Sequence, residues 1–207
     1  MLVQKEMLMK TGNYKLYLAV LSLTLAGMLP MAAAQTSSMG SNSSTTMGRA
    51  DTGTSDLSTT DKKFIKDAAD GGMAEVAFGQ LAVQKASSQD VKQFGQRMVD
   101  DHSKANDQLK QIASSKGIEL PQDLTLKDKA TQERLSKLSG EEFDKAYMAD
   151  MVKDHKADIA EFNKESRNGT DAQVKDFATA TLPTLEDHLK QAETTNQKMQ
   201  NSMTGMK

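Results

Sequence analysis

A chain of 207 residues with no cysteine and a formal net charge of -2 excludes disulfide stapling and thiolate chemistry. Its 26 basic and 28 acidic side chains are intermixed, and only 4% of residues are aromatic, so no basic patch interleaved with aromatics is present for nucleic acid.

Residues 1–34 read as a secretory signal. Lys5, Lys10 and Lys15 give a basic start, Leu16 to Met31 are mostly apolar, and Ala32-Ala33-Ala34 offers a small-x-small cleavage site before Gln35. The apolar run is short for a bilayer span and carries Pro30 near its end. Cleavage and release into the periplasm are therefore expected, with no stable membrane insertion afterwards; retention as an anchor is the alternative. Met9-Lys10 offers a second start that would give a shorter signal. Loss of residues 1–34 leaves 23 basic and 27 acidic side chains, a net charge of -4.

Residues 35–57 are rich in Ser, Thr and Gly and too poor in apolar side chains to offset their ordering entropy, which predicts a disordered linker. Residues 58–199 have the length of one domain with one core, and residues 200–207 are expected to form a flexible, Met-containing tail.

The domain reads as helical almost throughout. Ser58-Thr59-Thr60-Asp61 offers capping side chains, after which Phe64, Ala68, Gly71, Glu75, Phe78 and Ala82 recur at the spacing of one helical face. Ser87-Ser88 breaks and recaps the chain. A second stripe of Val91, Phe94, Met98, His102, Ala105, Leu109 and Ile112 runs until Gly117. A connection containing Pro121 leads to a short helix from Leu126 to about Leu138. Residues 139–142 open a third long helix with Phe143, Tyr147, Met151, His155, Ile159 and Phe162 on one face, ended by Asn168-Gly169. Thr170-Asp171 caps the last helix, striped by Val174, Phe177, Ala178, Thr181, Leu185, His188 and Ala192. Pro183 inside it predicts a bend.

Four long amphipathic helices joined partly by short turns predict an all-α fold, an antiparallel four-helix bundle with a short extra helix between the second and third long helices. Asp90-Val91-Lys92-Gln93-Phe94 and Gln173-Val174-Lys175-Asp176-Phe177 form a weak internal repeat, as if two helical hairpins were paired.

The three histidines each fall on the apolar stripe of a different helix, and Glu75 falls on the stripe of the fourth. With the turns near Ser87 and Gly169 taken as the same end of an up-down-up-down bundle, Glu75, His102, His155 and His188 lie about 18, 22, 21 and 28 Å deep. One inward ligand per helix at a common level is how bundles build metal sites, which makes Glu75, His102, His155 and His188 candidate ligands for zinc, iron, copper or nickel. The alternative is a mutually hydrogen-bonded His and Glu network without metal, since a buried Glu needs a partner on either reading. Asp101, Asp154 and Asp187 precede the histidines and flank the stripe, where they are solvated or orient an imidazole on a neighbouring helix. Met98 and Met151 stand one turn before His102 and His155, and Met199, Met203 and Met206 recur at helical steps at the C-terminal end; they are gap fillers, or thioethers suited to Cu(I).

Glu75-Val76, Gly79, Leu81-Ala82, Val91-Lys92, Phe94, Met98 and Asp101-His102 resemble the first hairpin of the DUF4142 family. Leu138-Ser139-Gly140, Phe143-Asp144, Tyr147 and His155 resemble its third helix, and Leu182-Pro183-Thr184-Leu185 with His188-Leu189 its fourth. The resemblance spans about residues 58–195 and implies a ferritin-like four-helix bundle in an exported bacterial protein, without implying an activity. The Glu-x-x-His pairs of ferritin-like di-iron enzymes are missing: Val99, Val152 and Leu185 stand three positions before the histidines, which favours a mononuclear, His-rich site.

Catalytic motifs are absent: no nucleophile elbow, phosphate loop or cofactor fingerprint occurs. The sequence thus predicts an exported metal-binding bundle in an envelope or stress-related role. The competing expectation is a non-enzymatic module that contacts an envelope protein and has a metal-free polar core.

Overall fold

The computed structural model describes residues 57–204, in which five helices occur: α1 (Thr59–Lys85), α2 (Gln89–Ser115), α3 (Leu126–Ser136), α4 (Gly140–Asn168) and α5 (Ala172–Thr204). The expected signal segment and all of the expected linker except Leu57 lie outside the described residues. Among the described residues no helix is long and apolar enough to cross a membrane. The helix borders follow the local chemistry. Ser58 caps α1 by accepting from the Asp61 amide, Gly117 takes a left-handed φ of 65° just past α2, and Asp171 accepts from the Val174 amide at the start of α5. Helix α5 continues through Pro183 and past residue 199 to Thr204, so the expected tail begins as helix; its segment carries no breaker before Gly205.

Helices α1 and α2 form one hairpin and α4 and α5 a second. Around the bundle α1 lies beside α4 and α2 beside α5, with α3 against α1 and α4. The two turns sit at opposite ends. Buried Asp144, near the start of α4, accepts from the Ser87 amide (3.1 Å), the Ser87 hydroxyl (2.6 Å) and the Ser88 amide (2.8 Å). Buried Asp61, near the start of α1, accepts from the Thr170 amide (3.1 Å), its hydroxyl (2.5 Å) and the Asp171 amide (3.0 Å). Each hairpin's first helix therefore caps the other hairpin's turn.

These contacts correct the expected up-down-up-down course. Helices α2 and α4 run parallel, and the connection that carries α3 returns the chain along the bundle, the single long crossover of ferritin-like topology. A connection of this length permits either course, and only a short one would have forced the antiparallel neighbour. The expected common level of the candidate ligands survives because His155 lies near the middle of α4 and is about equally far from both ends.

The internal repeat extends well beyond the two matching pentapeptides. A shift of 83 positions relates Asp61 to Asp144, Phe64 to Tyr147, Ile65 to Met148, Val91 to Val174 and Phe94 to Phe177, all of them buried, and relates Ser87 to Thr170 at the two turns. The two hairpins thus match element by element.

Two apolar clusters fill the bundle. One holds Phe78, Phe94, Met98, Phe143, Tyr147 and Met151; the other holds Phe64, Leu109, Phe162, Val174, Phe177 and Leu185. Within the first hairpin Gly79 and Gly95 let α1 and α2 approach closely. A Cβ on Gly95 would lie 2.6 Å from the Ala82 Cβ and 2.9 Å from the Gly79 carbonyl oxygen. Backbone stands behind this contact, so Gly95→Ala is expected to cost about 1–3 kcal/mol in chemical denaturation, like other overpacked cores; an unchanged midpoint would show that the helices part freely.

Candidate metal centre

The seam between the two apolar clusters is polar. On α2 His102 stands between Met98 of one cluster and Leu109 of the other; on α4 His155 stands between Met151 and Phe162; on α5 His188 stands between Ala192 and Leu185. All three histidines are buried, and each brings one ring nitrogen within 4.8 Å of the others. Their ring centroids form a near-equilateral triangle of 5.3, 5.4 and 5.8 Å. Phe94 closes one side, 6.4 Å from the rings of His155 and His188.

The acceptors around the rings decide where the protons sit. Nδ1 of His155 lies 2.9 Å from the Met151 carbonyl, which can only accept, so Nδ1 carries the hydrogen and Nε2 the lone pair. Nε2 of His188 lies 2.8 Å from Asp101 Oδ2. Burial pushes the Asp101 carboxyl up, but hydrogen bonds from His188 and Arg97 outweigh it and hold the group below its ordinary range. Asp101 is therefore a carboxylate, and His188 donates from Nε2 and keeps its lone pair on Nδ1. Arg97 holds Asp101 in place through Nε at 3.2 Å and reaches Asp187 Oδ2 at 2.9 Å and Gln191 at 3.0 Å.

Two lone pairs, on His155 Nε2 and His188 Nδ1, consequently face each other across 3.3 Å. A third nitrogen nearby, His102 Nε2, is buried without a hydrogen-bond partner among the described residues. A proton would relieve the facing pair only by creating a buried imidazolium. Burial and the neighbouring imidazoles push His102 down to about 3, burial and His188 push His155 down to about 4, and burial lowers His188 as well. The cluster is thus an electron-rich set of neutral nitrogens. A cavity of about 200 Å³ between α2 and α5, lined by His102, His188, Thr181 and Thr184, gives it a side open to small ligands.

Glu75 is placed differently from the expected four-ligand site. Its Oε1 lies 3.8 Å from His155 Nδ1, whereas Nε2 is the ring nitrogen that faces His188, and Glu75 is not among the converging ligand residues. Burial first, then Asp158 and Asp154, push its carboxyl well above the ordinary range, and Oε2 is buried without a hydrogen-bond partner among the described residues. Tyr147 stacks on Phe143 with centroids 5.6 Å apart and keeps its hydroxyl buried, with no hydrogen-bond partner among the described residues, while Met98 and Met151 are wholly buried in the apolar cluster. The three aspartates preceding the histidines part company: Asp101 orients His188, Asp187 is an exposed partner of Arg97, and Asp154 lines a separate acidic cavity. That cavity and the role of Arg97 were not read from the sequence, although Asp150, Asp154, Asp158 and Glu161 recur along one face of α4, a like-charged stripe that signals crowded carboxyls.

A family model described as "Domain of unknown function (DUF4142)" matches residues 46–195. No curated protein matches the chain. Among solved structures, a DUF305 fragment from Deinococcus radiodurans superposes with a TM-score of 0.62 at 11% identity, over 69% of this chain and 98% of that one. The "putative secreted protein DUF305" from Streptomyces coelicolor superposes with a TM-score of 0.56 at 12% identity, over 64% of this chain and 88% of that one. At such identities the likeness is one of fold. The chain belongs to the DUF4142 family.

Proposed function

We propose that the protein is an exported, periplasmic bundle that binds a single transition metal ion through His102, His155 and His188. The observation that carries this reading is the pair of facing lone pairs, fixed by Met151 and Asp101, beside the unpartnered His102 nitrogen. Metal-bound histidines donate their other ring nitrogen to a carbonyl or carboxylate in this way. At metal–nitrogen bonds of about 2.0–2.1 Å a tetrahedral ion spaces its ligands about 3.3–3.4 Å apart, and the 3.3 Å between His155 and His188 fits that edge. Three neutral imidazoles suit zinc, iron, copper or nickel, and the α2–α5 cavity leaves a fourth position for water or an exchangeable ligand.

The internal repeat adds support. Shifted by 83 positions, His102, His155 and His188 correspond to Leu185, Gly72 and Ala105, so the same architecture is built on the other side without histidine. Packing therefore gives no reason for three buried imidazoles. Export is supported by the basic, apolar and small-residue order of residues 1–34 and by the secreted description of the Streptomyces coelicolor protein.

Titration of metal-stripped protein with Zn²⁺, followed calorimetrically, tests the reading: one equivalent per chain is expected, and no uptake would overturn it. Asp101→Ala releases His188 to exchange tautomers and is expected to weaken Zn²⁺ by about 10–100-fold without unfolding the bundle. Unchanged affinity would remove Asp101 from the site.

A further inference from the structure

The acidic cavity between α1, α3 and α4 is a second place of interest. It measures about 320 Å³, and Glu75, Asp70, Asp128, Asp154, Asp158 and Glu161 line it, with Lys127 as the only lysine or arginine among its lining residues. Among the described residues Asp70, Asp154 and Asp158 have no ion-pair partner. The cavity straddles the relation between the two hairpins, since Glu75 corresponds to Asp158 and Ala74 to Ala157 under the 83-residue shift and all four line it. Glu75 is only 3% exposed, lines this cavity, and has a carboxyl oxygen with no hydrogen-bond partner among the described residues.

We propose that this cavity binds a hydrated divalent cation of the hard, oxygen-preferring class, at a site distinct from the histidine cluster. The side chains that can donate to a cation there are oxygen donors, the carboxylates with the Thr125 hydroxyl, which selects Mg²⁺, Ca²⁺ or Mn²⁺ over the borderline metals suited to imidazole. The carboxylates do not converge as the histidine nitrogens do, so the ion keeps part of its water shell and the oxygens bind through that shell, as is usual for small hard cations. The crowding is costly without such an ion: burial and Asp154 push Asp158 up to about 7, and the buried Glu75 keeps an oxygen without a hydrogen-bond partner among the described residues. The four-residue site expected from the sequence thus divides into a nitrogen site and an oxygen site on either side of His155.

Mn²⁺ is the probe, followed by the loss of its free-ion electron paramagnetic resonance signal. Full-length mature protein, pre-saturated with Zn²⁺, is expected to bind one Mn²⁺ that Mg²⁺ and Ca²⁺ displace. A His102→Leu, His155→Leu, His188→Leu variant is expected to bind it equally, so this result does not depend on the histidine site. Asp154→Asn with Asp158→Asn is expected to weaken Mn²⁺ at least about tenfold, because affinity follows ligand charge count. Glu161→Gln, at the half-buried edge, provides a milder variant that leaves the interior intact and is expected to weaken binding in the same direction. Absence of Mn²⁺ uptake at millimolar concentration, or uptake lost in the leucine variant and untouched by the carboxylate variants, overturns the proposal.

Discussion

Replacement of His102, His155 and His188 together by leucine is expected to abolish metal retention while leaving the apo-protein at least as stable as the wild type. Loss of a single outer partner of a metal site costs about 10–100-fold in affinity, and loss of all three nitrogen ligands goes further. The stability half of the result follows from solvation. The three imidazoles are held neutral by burial, one nitrogen has no partner and two others face each other with like charge density. Removing one member of such a network strands the rest, whereas replacing the whole set of neutral groups by apolar side chains of similar volume is nearly neutral or stabilising. A core that used its histidines only to fix helix register would behave oppositely, with loss of cooperativity in thermal melts of the leucine variant.

A large loss of stability is expected instead from substitutions at the helix ends. Asp144 is 2% exposed and accepts three hydrogen bonds from the α1–α2 turn, and Asp61 is wholly buried and accepts three from the α4–α5 turn. Hydrogen bonds to a charged group contribute about 1.5–3 kcal/mol each and are not additive, so Asp144→Ala or Asp61→Ala is expected to cost about 2–4 kcal/mol. In a domain of this size that lowers Tm by roughly 5–15 °C. The double variant should show the sum of the two losses, since the residues sit at opposite ends of the bundle and share no partner. A loss below the effect of an ordinary surface aspartate would mean that the turns hold without them.

The reciprocal caps also show what a single chain can and cannot disclose. Apolar spacing determines which face of each helix is buried, and Ser58, Gly117 and Asp171 mark helix borders through chemistry confined to a few neighbours. Asp61 lay in plain view as a cap for its own helix, yet its partners are 109 and 110 residues away, and no local rule assigns them. The course of the crossover was hidden for the same reason: α3 and its flanks are long enough to end at either side of the bundle.

At the site, helical phase was sufficient to collect the three histidines, because a buried stripe on each helix leads to one interior. It could not separate Glu75 from them. Which side of His155 a neighbouring carboxyl meets depends on ring orientation and on whether Met151 or another helix takes the Nδ1 proton. The pairing of Asp101 with His188 was accessible only as a general expectation that flanking aspartates orient an imidazole on the next helix. Arg97 carries no such signal: it sits on the edge of α2 like any solvated arginine, and becomes significant through the three partners it collects.

The most direct test of the histidine site is elemental analysis of the mature protein, isolated from its native compartment without chelators or an affinity tag, alongside the triple leucine variant prepared in the same way. About one equivalent of zinc, iron, copper or nickel per chain in the wild type and none in the variant is the predicted result. Equal metal content in the two proteins, whether none or stoichiometric, contradicts it.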